Sequence, residues 1–209
     1  GDRMPQSRRY KKKKSAGKAI LAWIIVLAIL AAGVFVFVSV FYEDAKKKLD
    51  EMNYPRTYST YVEKAAKDYD LDPALIYAVI HTESGFDPKA ESGVGAKGVM
   101  QMMPSSFEWL QEQRGCAGQY TEDDLFDPEI CIDYGSYLLK YFYDYYGTER
   151  SAIAAYNAGF VVSDWLNDTN YSSDGKNLDS IPYPETENYV DKVESAKKMY
   201  IKLYYSQSN

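Results

Sequence analysis

One stretch of the sequence constrains the fold more than any other, because residues 19–41 contain no charged side chain. Only Gly33 and Ser39 interrupt its apolar and aromatic residues. A helix of about 20 consecutive apolar residues crosses the hydrocarbon core of a bilayer. A cleavable signal peptide has a shorter apolar region, and no clear A-x-A cleavage motif follows this one. The run predicts a retained transmembrane helix, with a cleaved signal peptide as the alternative.

Charge is distributed unevenly on the two sides of this run. Residues 1–18 contain eight basic residues and one acidic residue, a net charge of +7, so the rest of the chain must carry −13 to give the total of −6. Basic residues gather on the cytoplasmic side of a membrane span, and only Lys46, Lys47, Lys48 and Arg56 follow the run closely. The bias predicts a cytoplasmic N terminus and a domain outside the plasma membrane. The acidic remainder argues against nucleic acid as a partner.

Beyond the span, the sequence predicts a short stalk and one helical domain. Residues 42–56 are charged and include Pro55, which predicts the stalk, and residues 57–209 are enough for a domain with its own core. Apolar residues recur at helical spacing, and no segment alternates convincingly like a strand. We therefore predict an all-α fold, with helices over 57–69, 73–84, 106–113, 128–146, 149–158, 161–166 and 185–205, and an exposed loop over 167–184.

Residues at the predicted helix ends support these bounds. Asp72-Pro73 and Asp127-Pro128 each place an N-cap acceptor before a first-turn proline. Ser105 and Glu108 have the spacing of a capping box. Three glycines stand where helix C-caps commonly lie: Gly85, Gly147 and Gly159.

The most informative residue is a glutamate in the last turn of the predicted 73–84 helix. On a wheel of about 100° per residue, with Leu75 at 0°, Val79 lies near 40°, Ile80 near 140° and Glu83 near 80°. Glu83 therefore points into the apolar stripe, where burial without a partner raises the pKa of a carboxyl group. A carboxylic acid that is still protonated near neutral pH can protonate the oxygen that leaves in glycosidic cleavage. A structural ion pair with an Arg or Lys from elsewhere is the alternative.

The histidine, the two cysteines and a glycine-rich segment argue against a metal or cofactor site. His81 lies near 240° on the same wheel of about 100° per residue, which predicts a surface histidine and weighs against Ser-His, Cys-His and His-based metal chemistry. Cys116 and Cys131 predict a disulfide in an exported domain, with two buried unpaired cysteines as the alternative. The G-x-G-x-x-G of residues 93–98 has no preceding strand, so it predicts a loop that passes close beside a cleft and not a dinucleotide site.

Four blocks of the sequence occur in a recognisable order. They are Glu83-Ser84-Gly85-Phe86 with Gly95-Ala96 and Gly98–Pro104; Asp127-Pro128 with Ile130, Gly135 and Tyr137-Leu138; Ala155–Gly159; and Ile181–Thr186 with Tyr189-Val190. Over about residues 57–205, this order resembles the catalytic domain of the soluble lytic transglycosylases, in the goose-type-lysozyme-like superfamily. The resemblance implies a lysozyme-like all-α domain.

The resemblance also implies which residues form the site. It makes Glu83 catalytic and places in the sugar-binding cleft Ser84, Gln101, Met103, Tyr156, Asn157, Glu185 and Tyr189. Gln and Asn can hydrogen-bond hydroxyl and N-acetyl groups in both senses, and Tyr offers a flat face and a hydroxyl. Taken singly, Met103 and Tyr156 are packing residues, and Glu185 favours a helix N terminus. Family members often have Arg where this chain has Glu187, so the ion pair of that arginine is missing or remade here.

Together with the predicted membrane span, the resemblance implies a membrane-anchored lytic transglycosylase that acts on peptidoglycan strands without a cofactor or metal. The β-1,4 bond between N-acetylmuramic acid and N-acetylglucosamine breaks, and the muramoyl C6 hydroxyl attacks C1 to leave a 1,6-anhydro ring. The implied location is the bacterial plasma membrane, crossed once. A muramidase that hydrolyses the same bond is one alternative, with Asp87, Glu91 and Glu185 as the nearest candidates for a second carboxylate. A catalytically idle wall-binding module is the other.

Overall fold

The computed structural model describes the backbone of residues 7–206 and the side chains of residues 17–206. Of the predicted basic tail, residues 1–6 lie outside the described residues. The chain divides into two compact units, Gly1–Asn53 and Tyr54–Asn209.

The described residues of the first unit form one helix, α1 (Ser7–Asn53). Its part Gly17–Asn53 is long and apolar enough, by length and composition, to cross a membrane. The large apolar side chains of residues 20–41 are exposed along it, which suits a lipid environment better than water. Residues 42–53 of the predicted stalk continue the same helix. The division of the chain into tail, span, stalk and domain stays a prediction.

The part of the second unit that the structure describes, residues 54–206, forms seven α-helices and contains no β-strand. The helices are α2 (Ser59–Tyr69), α3 (Pro73–Ser84), α4 (Pro104–Gln113), α5 (Pro128–Tyr146), α6 (Glu149–Ala158), α7 (Val162–Asn167) and α8 (Pro184–Tyr200). Short 3₁₀ turns occupy Glu122–Phe126 and Gly159–Val161, and a π-helical turn, Ile201–Tyr205, extends α8. The all-α prediction is confirmed. Residues 168–183 form the predicted loop, although Ser172, Leu178 and Ile181 are buried.

The first turns of α3 and α5 are capped as predicted. Asp72 accepts a hydrogen bond from the backbone N–H of Ala74 at 2.9 Å, and Asp127 accepts one from that of Glu129 at 2.8 Å. In both helices a proline follows the cap, where its missing N–H costs no helical hydrogen bond.

The capping box predicted from Ser105 and Glu108 is wrong. The helix begins earlier, at Pro104, with Met103 at the N-cap position. The fixed φ of proline suits the first helical position, so Pro104 takes that position and Ser105 lies inside the helix. A capping box occurs instead between Thr121 and Asp124, at the start of a 3₁₀ turn that was not predicted.

The central helix of the second unit is α3, which packs on α2 and α8. Its residues from Ala74 to Ile80 are all buried, so this part of the helix is surrounded by the core on every side. On the other side of the core, α5 packs on α2 and α6. Side chains of α3 become partly accessible only in its last turn, residues 81–84.

The predicted disulfide is absent, because Cys116 and Cys131 are free thiols. Cys131 is fully buried, and its Sγ accepts a hydrogen bond from the backbone N–H of Met100 at 3.4 Å. The Cys116 thiol lies 3.3 Å from the hydroxyl of Tyr134. The two thiols have different hydrogen-bond partners, and a disulfide between them would require both hydrogen bonds to break.

Candidate active site

Glu83 lies one residue before the end of α3, where Gly85 forms the C-cap with φ of 58°. Its side chain is partly buried, as the helical wheel predicts. The carboxylate Oε1 accepts a hydrogen bond from the hydroxyl of Tyr189 at 2.7 Å. No Lys or Arg forms an ion pair with Glu83 among the described residues. The structural ion pair that the sequence left open is therefore not present there.

Burial controls the protonation of this carboxyl group. Desolvation raises the pKa of Glu83 to about 7, while the hydrogen bond from Tyr189 acts in the opposite direction because it stabilises the carboxylate. Near neutral pH the group is therefore divided between its acid and its base forms. A single residue with this pKa can both donate and accept a proton during one reaction.

Two tyrosines from distant helices meet this end of α3. Tyr189 on α8 is buried and bonds Glu83 directly, whereas Tyr156 on α6 donates to the backbone oxygen of Met100 at 2.9 Å. Desolvation is the main cause that raises the pKa of both hydroxyls well above the usual range, and the negative charge of Glu83 adds to it. Both tyrosines thus remain neutral hydrogen-bond donors.

The segment between α3 and α4, residues 85–103, forms a loop beside Glu83. Two isolated antiparallel bridges shape it, one between Glu91 and Lys97 and one between Lys97 and Met102. Gln101 adopts a positive φ of 47°, and its amide nitrogen donates to the backbone oxygens of Ala90 and Gly98 at 3.1 and 3.0 Å. The amide group predicted to bind sugar therefore also holds the loop together.

Gly98 explains why the G-x-G-x-x-G segment needs one of its glycines. Gly98 has φ of +76°, and a Cβ atom added there would lie 2.0 Å from the backbone oxygen of Leu125. Gly93 and Gly95 have no atom within 4 Å of such a Cβ. The close approach at Gly98 is to the 3₁₀ turn Glu122–Phe126, so the glycine lets the loop pack on that turn.

Ser84 and Met103 stand at the two ends of the loop. The hydroxyl of Ser84 donates to the backbone oxygen of Val99 at 2.8 Å and accepts from the N–H of Phe86 at 3.1 Å. It thereby fastens the loop to the last turn of α3. Met103 is 38% exposed at the N-cap position of α4, so the structure presents it at the surface and not in the core.

Asn157 joins α6 to the first turn of α8. Its side chain is exposed, and its Oδ1 accepts a hydrogen bond from the hydroxyl of Thr186 at 2.8 Å. Glu185 and Glu187 are exposed in the same turn of α8. The Glu187 side chain, at the position where the resemblance led us to expect an arginine, therefore faces solvent. The sequence did not predict this contact of Thr186, although the residue ends the block Ile181–Thr186.

His81 is not the surface residue that the wheel predicted. Its ring lies 4.8 Å from that of Tyr54, 6.3 Å from that of Tyr200 and 6.4 Å from that of Phe86. The wheel of α3 could not show this because the aromatic rings come from other parts of the chain. Burial lowers the pKa of His81, which keeps the imidazole neutral near pH 7. Among residues 17–206, whose side chains the structure describes, no group of three or more His, Cys, Asp or Glu could hold a metal.

Known proteins are similar to this chain in both sequence and fold. The sequence profile of the family described as Transglycosylase SLT domain matches residues 60–178. The soluble lytic murein transglycosylase of Escherichia coli K12 is 32% identical over 146 residues, which are 68% of this chain and 23% of that protein. The membrane-bound lytic murein transglycosylase C of Actinobacillus succinogenes is 30% identical over 167 residues, 69% of this chain and 47% of that protein.

Solved structures show the same fold. The 70 kDa soluble lytic transglycosylase SLT70 of Escherichia coli superposes with a TM-score of 0.66 at 28% identity, over 76% of this chain and 26% of that one. The lytic transglycosylase Slt of Pseudomonas aeruginosa, solved as an inactive mutant, gives 0.64 at 30% identity, over 73% of this chain and 25% of that one. The chain thus spans about a quarter of the length of its soluble relatives. With more than half of its residues matched by the profile, the chain belongs to the transglycosylase SLT domain family.

Proposed function

We propose that this chain is a membrane-anchored peptidoglycan lytic transglycosylase with Glu83 as its catalytic acid and base. The observation that carries the proposal is the environment of one carboxyl group. Desolvation raises the pKa of Glu83 to about 7, and Tyr189 orients its carboxylate from 2.7 Å. The relatives are named as lytic murein transglycosylases, which supports peptidoglycan as the substrate.

In the proposed reaction, protonated Glu83 gives its proton to the glycosidic oxygen between N-acetylmuramic acid and N-acetylglucosamine. The bond from that oxygen to C1 of the muramoyl sugar breaks. The Glu83 carboxylate then removes the proton of the muramoyl C6 hydroxyl, whose oxygen bonds to C1 and closes the 1,6-anhydro ring. Because the nucleophile comes from the substrate, one carboxyl group serves both proton transfers and no water is consumed.

Hydrogen bonds within the fold support structural roles for several of the remaining predicted cleft residues. Tyr189 holds the carboxylate, Tyr156 and Ser84 hold the adjacent loop, and Asn157 connects the two helices that carry the tyrosines. Sugar binding is proposed for these residues and for three more side chains near them: Gln101, Met103 and Glu185.

The test of this proposal is the variant Glu83→Gln, which keeps the size of the side chain but cannot donate the proton. General acid–base catalysis contributes about 10²- to 10⁴-fold, so we expect cleavage of purified peptidoglycan to fall by at least this range while strand binding is retained. Glu91→Gln is the control, because Glu91 is an exposed glutamate of the adjacent loop. A comparable loss in Glu91→Gln would favour the two-carboxylate muramidase.

Mass analysis of the products separates the three readings. Anhydromuramoyl ends are lighter by one water than hydrolytic ends and lack a reducible group, and we expect them from wild type. Reducible muramic ends would assign the chain as a muramidase. Absence of cleavage by wild type, with equal strand binding by Glu83→Gln, would leave only the wall-binding module.

The proposed location is the bacterial plasma membrane, crossed once by residues 19–41, with the N terminus in the cytoplasm. The exposed apolar surface of α1, the excess of basic residues before it and the membrane-bound relatives support this topology. Protease added to intact protoplasts should remove the unit Tyr54–Asn209 and leave the basic tail protected. Protection of the whole unit would contradict the orientation.

A further inference from the structure

The thiol of Cys131 on α5 is bonded to two points of a tight turn in the loop beside Glu83. Its Sγ accepts from the backbone N–H of Met100 at 3.4 Å and donates to the backbone oxygen of Lys97 at 3.8 Å. Lys97 and Met102 also exchange two backbone hydrogen bonds, at 2.9 and 3.0 Å. The thiol therefore holds a turn that is already closed, residues 97–102, against α5.

The sulfur atom is packed closely under this turn. Gly98 and Gln101 adopt positive φ of 76° and 47°, so the backbone bends sharply at two places. A Cβ atom added to Gly98 would lie 2.9 Å from the Sγ of Cys131, which is closer than real Cβ contacts. Burial raises the pKa of Cys131 to about 12, although backbone N–H groups of the turn lower it. The group therefore remains a thiol at neutral pH, with its hydrogen available to Lys97.

Met100 is held on three sides. In addition to its bond to Cys131, its backbone oxygen accepts from the Tyr156 hydroxyl on α6 at 2.9 Å. Its side chain packs on the bare backbone of Gly135, where an added Cβ would lie 2.5 Å from the Met100 Sδ. Residues four positions apart share one face of a helix, so Cys131 and Gly135 together form the surface of α5 that receives Met100.

The residue before Met100 is bonded to the helix that carries Glu83. The backbone oxygen of Val99 accepts from the Ser84 hydroxyl at 2.8 Å. Val99 and Met100 are both fully buried. These two consecutive residues therefore connect the last turn of α3 to α5 and α6, and the bond to Cys131 is the part of this connection that α5 supplies.

Exclusion of water controls the protonation of Glu83, because the titratable groups near it are neutral. Among the residues whose side chains the structure describes, three groups feel its charge, Cys131 from α5, Tyr156 from α6 and Tyr189 from α8. Burial raises the pKa of each, and the charge of Glu83 adds to that effect. Desolvation is likewise the main cause of the raised pKa of Glu83, so a displaced loop would change it.

We propose that Cys131 is a positioning residue for the reaction of Glu83. Its two hydrogen bonds hold the turn 97–102 against α5, and the turn held in this way keeps water from the Glu83 carboxyl group. The inference rests on the proposed function, since the proton affinity of Glu83 matters only if Glu83 transfers a proton. Cys131 is fully buried, so it acts through the loop and not on the sugar.

The test compares Cys131→Ala, which removes both hydrogen bonds, with Cys131→Ser, which keeps a donor and an acceptor. The carboxyl carbon of Glu83 is titrated by NMR in the full chain in detergent. At pH 7 the ratio of ionised to protonated Glu83 should rise about 10-fold in Cys131→Ala, a part of the shift that burial can produce. Cys131→Ser should stay close to wild type. Cys116→Ala is the matched control, because the Cys116 thiol contacts the Tyr134 hydroxyl and not the loop.

The pH profile of cleavage should change in the same direction. Because protonated Glu83 begins the reaction, the rate of Cys131→Ala on purified peptidoglycan should fall about 10-fold more at pH 8 than at pH 5, relative to wild type. A residue that only stabilised the fold would lower the rate at both pH values alike. An unchanged profile in Cys131→Ala, or the same change in Cys116→Ala, overturns the proposal.

Amide hydrogen exchange at Met100 tests the contact itself. Exchange should be slow in wild type and about 2- to 10-fold faster in Cys131→Ala, the range for loss of one hydrogen bond, while the core amides of α3 are unchanged. Rapid exchange at Met100 in wild type overturns the proposal even if Cys131→Ala does not fold. Equal effects of Cys131→Ala and Cys131→Ser also overturn it, because hydrogen bonding would then not be the cause.

Failure of this proposal and failure of the proposed function are distinguishable, since the NMR titration needs no cleavage. Cleavage that depends on Glu83, with unchanged titration of Glu83 in Cys131→Ala, removes only the positioning role. A changed titration in Cys131→Ala, when the wild-type chain cleaves nothing, removes only the enzyme.

Discussion

At the scale of single residues, the buried carboxyl group of Glu83 makes the stability of the fold depend on pH. The folded state binds this proton more tightly than the unfolded state, because the pKa is about 7 in the folded chain against an ordinary value of 4.5. The contribution of Glu83 to the free energy of unfolding therefore decreases as pH rises from about 4.5 to about 7. Above about pH 7 the carboxylate is charged in the folded state, and the fold carries the whole penalty of burying that charge.

The variant Glu83→Gln should remove that cost. At pH 8 we expect the variant to be more stable than wild type by up to about 3 kcal/mol, since one pKa unit is worth about 1.36 kcal/mol. At pH 4.5 the two proteins should be equally stable. Urea unfolding measured across this range, with the exposed Glu91→Gln as the control, gives the comparison. A difference that is independent of pH would show that Glu83 is not desolvated.

Tyr189→Phe tests the hydrogen bond to Glu83. The hydroxyl stabilises the carboxylate, so its removal should raise the pKa of Glu83 and move the alkaline limb of the pH–activity profile upward. Tyr156→Phe is the matched control, because the Tyr156 hydroxyl donates to the backbone of Met100 and not to Glu83. The same movement in both variants would contradict a specific role for Tyr189.

The position of Glu83 could be predicted from sequence because its evidence is local. Helical spacing within α3 is enough to place the side chain on an apolar face. Its partner Tyr189 is 106 positions away, and spacing in the sequence carries no information on such a contact. The same limit applies to Thr186 with Asn157, and to the rings around His81.

At the scale of elements, Gly98 joins the loop 85–103 to the 3₁₀ turn Glu122–Phe126. Gly98→Ala should destabilise the fold by about 1–3 kcal/mol, the range for an overpacked site, and should lower activity by displacing the loop beside Glu83. Gly95→Ala separates the two causes, because Gly95 also has a positive φ of 89° but free space around an added Cβ. Thermal unfolding of both variants measures the difference, and equal losses would exclude the close approach as the cause.

Three helices, each with a proline or glycine at one or both ends, have the bounds that the sequence predicted. α3, α5 and α6 begin and end at the predicted residues. The start of α4 was predicted two residues too late. Ser105 and Glu108 fit a capping box in the sequence, and the sequence does not show that Pro104 takes the first helical position instead. The cysteine pairing failed for a similar reason, since separation along the chain does not show which way two thiols point.

At the scale of the whole second unit, aromatic contacts fasten its first residues to its last ones. The guanidinium of Arg56 lies within 5.8 Å of the ring centroids of Tyr77, Tyr204 and Tyr205, and pairs with Glu63 at 2.6 Å. Tyr205 also donates to Glu63 at 2.8 Å. We name this group of five residues the Arg56 cluster.

The variant Arg56→Lys should weaken this cluster. An ammonium group keeps the charge but loses the planar face and the fork of donors, so we expect a loss of about 1 kcal/mol in unfolding free energy from the ring contacts. Arg150→Lys is the control, because Arg150 forms surface ion pairs with Asp191 and Glu194 that contribute little. Equal effects of the two substitutions on urea unfolding would remove the special role of the rings.

The cluster has a mechanical consequence. Tension that arrived along α1 would enter the second unit through its covalent link at Tyr54. The backbone oxygen of Tyr54 accepts a hydrogen bond from Tyr204 at 2.8 Å, and that of Pro55 accepts one from Tyr200 at 3.1 Å. The force would therefore pass both to α2 and, through these hydrogen bonds, to the end of α8 and the turn Ile201–Tyr205. It would stretch these hydrogen bonds before it reached the end of α3, where Glu83 lies. A chain tethered as proposed and pulled by a moving wall would yield first at these two hydrogen bonds, with the proposed catalytic carboxyl group of Glu83 still in place.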